Sequence, residues 1–309
     1  MSRKSFPAAF GLALAIALVE LGGLACAATS YSLKLISTFD FPGASIFPAG
    51  INNAGDIVGA EQDNSTFSIF GFERFADGEF APLVDFPGSQ TTVATGINDH
   101  GLVAGQYGLA NGQFFGFFLE TGKYDKFDSG TLCGGQPCDT DVSGINNHGD
   151  FVGSFQSDDG LQPFVDVGGV ATTVMAPDSA TVAFFNAIDN GSLAAVGNYL
   201  DGDDNGHSFI YIVATRAIAL IDIPSATQTF LSGINSQRTL AGYYVDAENI
   251  GHGVVVVGKK LLFFDYPGAI STSLTGINDR NAICGSYIDD LGISHGMILR
   301  LVTTTTSTP

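Results

Sequence analysis

The sequence predicts an all-β fold, a six-bladed β-propeller of four-stranded antiparallel blades closed by the N-terminal strand. Three observations predict it. Gly-Ile-Asn recurs at Gly50-Ile51-Asn52, Gly96-Ile97-Asn98, Gly144-Ile145-Asn146, Gly233-Ile234-Asn235 and Gly276-Ile277-Asn278, with a degenerate copy at Ala187-Ile188-Asp189. The spacings are 46, 48, 43, 46 and 43 residues, a period that belongs to propeller blades. A second glycine follows each intact Asn by seven residues, at Gly59, Gly105, Gly153, Gly242 and Gly285, and Gly197 follows the degenerate copy with one residue more.

Each unit reads as four short strands. In residues 91–128, Thr91 to Asn98 turns through Asp99-His100-Gly101 into Leu102 to Tyr107. A loop with Asn111-Gly112 then reaches Gln113 to Leu119, and Thr121-Gly122 turns into Tyr124 to Phe127. β-branched and aromatic runs broken by Gly, Asn and Asp turns are hairpin chemistry, and four strands per unit make a blade. Between blades stand Asp40-Phe41-Pro42-Gly43, Asp85-Phe86-Pro87-Gly88, Asp222-Ile223-Pro224 and Asp265-Tyr266-Pro267-Gly268. A proline has no N–H for a strand ladder, so each ends an outer strand.

The first of these motifs precedes the first Gly-Ile-Asn, whereas only two strands follow the last one. Tyr31 to Phe41 is therefore expected to supply the outer strand missing from the last blade, which closes the ring and removes its open edges. The expected organisation is a signal peptide at 1–28, one propeller domain at 29–302 and a disordered tail at 303–309.

The signal peptide rests on Arg3 and Lys4, the apolar run from Phe10 to Val19 and the small-residue site Ala25-Cys26-Ala27. A lipid anchor on Cys26 is the competing reading, against which Gly23 stands where a branched apolar residue is wanted. No segment is long and apolar enough for a transmembrane helix. The chain is thus expected to be secreted, periplasmic or extracellular.

Charge narrows the partners. The chain has 12 basic and 31 acidic residues, a net charge of −19. Cleavage removes Arg3, Lys4 and Glu20, which deepens the excess to −20. Such a field repels phosphate backbones and anionic lipid heads, so nucleic acid is not an expected partner. An extracellular protein or glycan is, with the chain acting as a monomer.

Export permits disulfides, and Cys133 and Cys138 flank the turn-rich Gly134-Gly135-Gln136-Pro137, which predicts a local bridge. Cys284 takes a repeat position held elsewhere by Val58, Ala104, Val152, Val196 and Ala241, so it reads as a small buried filler.

The order of Gly-Ile-Asn, a glycine, an aromatic, an acidic turn and a His-small-apolar step resembles the extracellular HAF-repeat proteins of bacteria, named for a His-Ala-Phe step. Here the step stands as His207-Ser208-Phe209, His252-Gly253-Val254 and His295-Gly296-Met297, with Phe70-Gly71-Phe72 and Phe115-Gly116-Phe117 in other units. The resemblance implies a propeller-like fold and an extracellular place. It brings no catalytic residues.

Two constellations carry candidate chemistry. Asp201-Gly202-Asp203-Asp204-Asn205-Gly206 matches the start of a calcium loop, with Asp201, Asp203 and Asn205 as oxygen donors, although Ile212 stands where an EF-hand places its bidentate Glu. An ordinary acidic turn competes with the metal reading, and no other cofactor is expected. The second is a ring, Asn52, Asn98, Asn146, Asp189, Asn235 and Asn278, placed to line one mouth of the channel, where propeller loops converge. These groups alternatively serve the turns that follow them.

All five histidines fall on repeated positions, His100 and His148 in the first hairpin turn and His207, His252 and His295 at the third strand. A catalytic group is needed once, so repetition favours a structural role. Nucleophile elbows, phosphate loops and tryptophan are absent. A non-enzymatic binding or scaffold module is the leading expectation, and a hydrolase or lyase with its site at a channel mouth is the rival.

Overall fold

The computed structural model of the chain describes residues 28–127, 130–158, 160–191 and 193–306. Of the expected signal peptide, 1–28, all but Ala28 lies outside the described residues.

The chain opens with β1 (Ala28–Phe39). The first blade holds β2 (Ala44–Ile51), β3 (Ile57–Asp63) and β4 (Ile69–Arg74), and the second β5 (Thr91–Ile97), β6 (Val103–Gly108), β7 (Phe114–Glu120) and β8 (Lys123–Phe127). The third has β9 (Gly144–Ile145), β10 (Phe151–Ser157), β11 (Gly160–Val167) and β12 (Val170–Thr173), and the fourth β13 (Val182–Ile188), β14 (Ala194–Leu200), β15 (Gly206–Ile212) and β16 (Ala217–Ile221). The fifth has β17 (Gln228–Ile234), β18 (Leu240–Val245), β19 (Gly251–Val257) and β20 (Lys260–Phe264), and the sixth β21 (Ser271–Ile277), β22 (Ala282–Ile288) and β23 (Ser294–Thr306). The last sheet runs β1-β23-β22-β21. The chain ends therefore share a blade, and the structure is the six-bladed propeller expected, closed by its N-terminal strand.

Two elements differ from the four-strand expectation. In the first blade the outer strand shrinks to two bridges, Arg74 to Phe80 and Gly71 to Val84. Pro82 lies between them and has no N–H for the ladder. Beyond the compact unit Tyr31–Val302, β23 continues to Thr306, so residues 303–306 of the expected disordered tail form strand. The strand ends form a small unit of their own, in which the Ser30 hydroxyl donates to the Thr304 carbonyl at 3.4 Å. Residues 307–309 of the expected disordered tail lie outside the described residues.

The inner strand of each blade bends at one place. Its register with the second strand shifts between Pro48 and Gly50, Ala94 and Gly96, Phe185 and Ala187, Leu231 and Gly233, and Leu274 and Gly276, and in the third blade the Thr140–Phe155 bridge is offset by one residue from the Ile145–Phe151 pair. Such a bulge inserts one residue and re-aims its side chain. The second glycine makes room for it. A Cβ on Gly105 would overlap the Val93 carbonyl oxygen and the Phe117 ring. The first glycine serves the crowded axis, since a Cβ on Gly96 would stand 3.3 Å from the Gly144 Cα of the next blade.

Apolar residues fill the seams between blades. Phe39, Ile46 and Phe72 pack with Ala282 and Cys284, which joins the first and sixth blades around the closure. Cys284 is buried, and that burial pushes its thiol up to about 11. It is the filler that its repeat position indicates. Cys133 and Cys138 are joined by a disulfide with Cα atoms 6.3 Å apart, in the connection between the second and third blades.

Candidate functional site

The two ends of the channel are built differently. Around one end, the six residues of the expected ring are all buried, from Asn146 at 0% exposed to Asn278 at 6%. Their side chains hold turns and blades together. The Asn98 Oδ1 accepts from the N–H groups of His100 and Leu102, while its amide donates to the Asn146 carbonyl at 3.1 Å. The same blade-to-blade bond runs from Asn52 to Asn98, Asn146 to Asp189, Asn235 to Asn278 and, across the closure, Asn278 to Asn52 at 2.7 Å. Asp189 accepts from the Ala194 N–H, but its side chain has no N–H to pass on.

The residue after each ring member faces the axis. Asn53, Asp99, Asn147, Asn190, Ser236 and Asp279 form a second ring that sequence reasoning missed, although the position one beyond Gly-Ile-Asn is polar in every unit. Backbone N–H groups of Asn53, Asp99, Asn147, Ser236 and Asp279 each donate to the side chain of the next member. Asp99 Oδ2 also accepts the amides of Asn53 and Asn147 at 2.7 and 2.6 Å, and Asp279 Oδ2 accepts that of Asn190 at 3.2 Å. Burial raises both acids, yet these donated hydrogen bonds prevail and hold both below the usual carboxylate range. The ring works as a plug, and a cavity of only about 70 Å³ lies along the axis there.

The opposite mouth is open. Its cavity of about 360 Å³ is lined by the bulged residues Ala49, Thr95, Ser143, Asn186, Ser232 and Thr275. Gln106, Asp141 and the rings of Phe47 and Phe184 stand above them. The bulge thus aims a hydroxyl or amide inward from five of the six blades. Thr95 Oγ1 donates to the Val142 carbonyl at 2.6 Å, and the Asn186 amide to the Leu231 carbonyl at 3.3 Å. Asp141 accepts from the hydroxyls of Ser154 and Ser143 at 2.8 and 3.1 Å. Burial nevertheless pushes its carboxyl up.

The loop holding Asp201, Asp203 and Asn205 is a closed turn. Asp201 Oδ1 accepts the N–H groups of Asp203 and Asn205, both at 2.9 Å, and its Oδ2 lies 3.3 Å from His207 Nε2. Asp246 and Asp289 fill the same place in the fifth and sixth blades, each accepting two backbone N–H groups and a histidine. Among the described residues, no three His, Cys, Asp or Glu side chains cluster as metal ligands would.

No family model matches the chain, and no curated protein matches it. Solved structures do. AofleA from Arthrobotrys oligospora is 12% identical with a TM-score of 0.56, over 91% of this chain and 90% of that one. The lectin of Aleuria aurantia, described as a six-bladed β-propeller with a novel fucose recognition mode, is 10% identical with a TM-score of 0.53, over 88% and 99%. TolB of Acinetobacter baumannii is 10% identical with a TM-score of 0.54, over 80% and 65%. At these identities the likeness is one of fold.

Proposed function

We propose that the protein is an exported, non-enzymatic propeller that binds a glycan at the open mouth of its channel. One observation carries this reading: the mouth sets the Phe47 and Phe184 rings beside a circle of hydroxyls and amides from Thr95, Ser143, Asn186, Ser232 and Thr275. Sugars present apolar C–H faces that stack on rings and hydroxyls that pair with such groups. The lectin neighbours show that a propeller of this kind accommodates sugar recognition.

Kinship with the HAF-repeat proteins belongs to the same reading and is supported by the shared role of His207, His252 and His295 at the third strand. Export is supported by the basic and apolar N-terminus and by the disulfide in an acidic chain. A glycoside hydrolase would use two carboxyl groups facing across the sugar. Among the described residues lining the mouth, Asp141 is the one acid.

A glycan array probed with the mature protein tests the proposal. Retention of a neutral glycan, lost in Phe184→Ala, is the expected result. No retention of any glycan, or release of reducing sugar from the bound one, overturns it.

A further inference from the structure

The connections between blades can be aligned by their backbone bonds. Gln90, Thr181, Thr227 and Ile270 each donate to the end of the second strand of the blade they enter, at 2.7 to 2.9 Å. Phe86, Pro177, Ile223 and Tyr266 stand four residues before them. Phe86 stacks on Tyr107 at 3.6 Å and meets Tyr124 edge-on at 5.3 Å, Tyr266 stacks on Tyr287 at 3.7 Å, and Ile223 is 3% exposed. Each is an apolar plug packed into a blade seam. In the fourth blade the plug is Pro177, and Ile218 pairs with Tyr211 in the register where Tyr124 pairs with Leu119. Phe86 and Tyr124 are thus replaced by smaller groups, while Tyr211, 6% exposed, stands where the second blade has Leu119.

The backbone is adapted to the change. The N–H groups of Phe86, Ile223 and Tyr266 donate to Thr92, Thr229 and Thr272 at 2.9 to 3.0 Å. Pro177 has no N–H, and Ala183 has no hydroxyl in the matching place, so the loss leaves no orphaned group. What remains is a groove of about 710 Å³ walled by Val174, Met175, Tyr211, Ile218 and Leu220. Met175 is 82% exposed and Leu220 55%, an apolar surface with no covering side chain. Arg216 lines the same groove and makes no ion pair or side-chain hydrogen bond among the described residues, in a chain with 31 acids. Asp178 lies on the rim as well. It repels an anion from its own side and so favours the Arg216 side for a negative group.

We infer that the seam between the third and fourth blades is a second binding site, separate from the channel mouth, for a small molecule that joins an aromatic ring to a carboxylate. The ring takes the space that Phe86 and Tyr124 occupy in the second blade, and the carboxylate pairs with the Arg216 guanidinium, which suits two parallel hydrogen bonds.

The test is calorimetric titration of the mature protein with phenylpropanoate and with its neutral isostere phenylpropanol. One molecule of phenylpropanoate should bind per chain, and Arg216→Gln should weaken it roughly tenfold while leaving the alcohol unchanged. Ile218→Tyr and Pro177→Phe each refill the slot and should abolish binding of both. Should Pro177→Phe fail to fold, Ile218→Tyr alone decides, since it restores the residue the second blade already carries. No binding by the wild-type protein, equal binding after Arg216→Gln, or undiminished binding after Ile218→Tyr overturns the site.

Discussion

His295 and Asp40 stand 255 residues apart in sequence, yet the imidazole Nδ1 lies 2.6 Å from the carboxylate. Asp40 follows β1 and His295 begins the strand beside it, so the contact fastens the closing blade. On its other side His295 Nε2 meets Asp289 at 3.1 Å, and its ring stacks on Tyr287 at 4.9 Å. The fourth and fifth blades repeat the clamp, with His207 between Asp201 and Asp222 and His252 between Asp246 and Asp265. The interblade Asp and the His step of the third strand, two separate signatures in the sequence, are halves of one device.

That device predicts a pH dependence. Burial disfavours the charged imidazole, but the hydrogen bonds it donates to the flanking carboxylates prevail and raise the pKa of all three histidines. A group whose folded pKa is raised stabilises the fold fully below its unfolded pKa and loses that contribution as pH rises through the folded value. Asp246 and Asp289 are held low, chiefly by backbone N–H groups, so their contribution is lost as pH falls through their folded values. Tm should therefore peak in mildly acid solution and fall towards pH 8, and His295→Gln should flatten part of that fall. A Tm that climbs steadily from pH 5 to 8 contradicts the clamp.

The closure predicts an asymmetry between the chain ends. Deleting residues 28–42 removes β1, Phe39 and Asp40 and should lower Tm by far more than fraying would, whereas deleting 303–309 should change it little. Thermal melts of the two truncations read this directly. An N-terminal deletion that melts like the mature protein would sink the closure.

The blade count, the strand order and the closure were legible in the sequence because a repeat fixes them: Gly-Ile-Asn marks each inner strand, and one surplus strand signal precedes the first copy. The channel was less legible. Asn52 and its counterparts share a place in the repeat, but only the fold shows that they are buried and that Asn53 and its counterparts face the axis. The open mouth escaped notice because its lining residues, Ala49, Thr95, Ser143, Asn186, Ser232 and Thr275, differ from blade to blade. The clamp escaped because His295 and Asp40 meet only when the chain ends do.

The buried ring predicts its own stability effects. Asn146→Ala leaves the N–H groups of His148 and Asp150 and the Asp189 carbonyl without their side-chain partner, which should cost about 2–4 kcal/mol in a denaturant melt. Asp189→Asn supplies the amide that the other five members carry and should raise stability by about 1 kcal/mol. A neutral Asn146→Ala would show that the ring holds nothing.

For the acidic loop, the contacts of Asp201 predict that calcium gives no stoichiometric binding and no rise in Tm. Its Oδ1 serves two backbone N–H groups and its Oδ2 serves His207. One ion bound per chain, with a Tm rise abolished by the pair Asp201→Ala and Asp203→Ala, would instead make the loop a metal site.

The central claim is that the open mouth, and not the plugged end, receives the ligand. It is tested most directly by titrating the array-identified glycan into three proteins: wild type, Asn186→Ala at the mouth and Asn190→Ala at the plug. The account predicts at least roughly tenfold weaker binding for Asn186→Ala, as for loss of a buried polar contact, with Asn190→Ala binding like wild type. Loss of binding in Asn190→Ala with Asn186→Ala unchanged would place the ligand at the wrong end and contradict it.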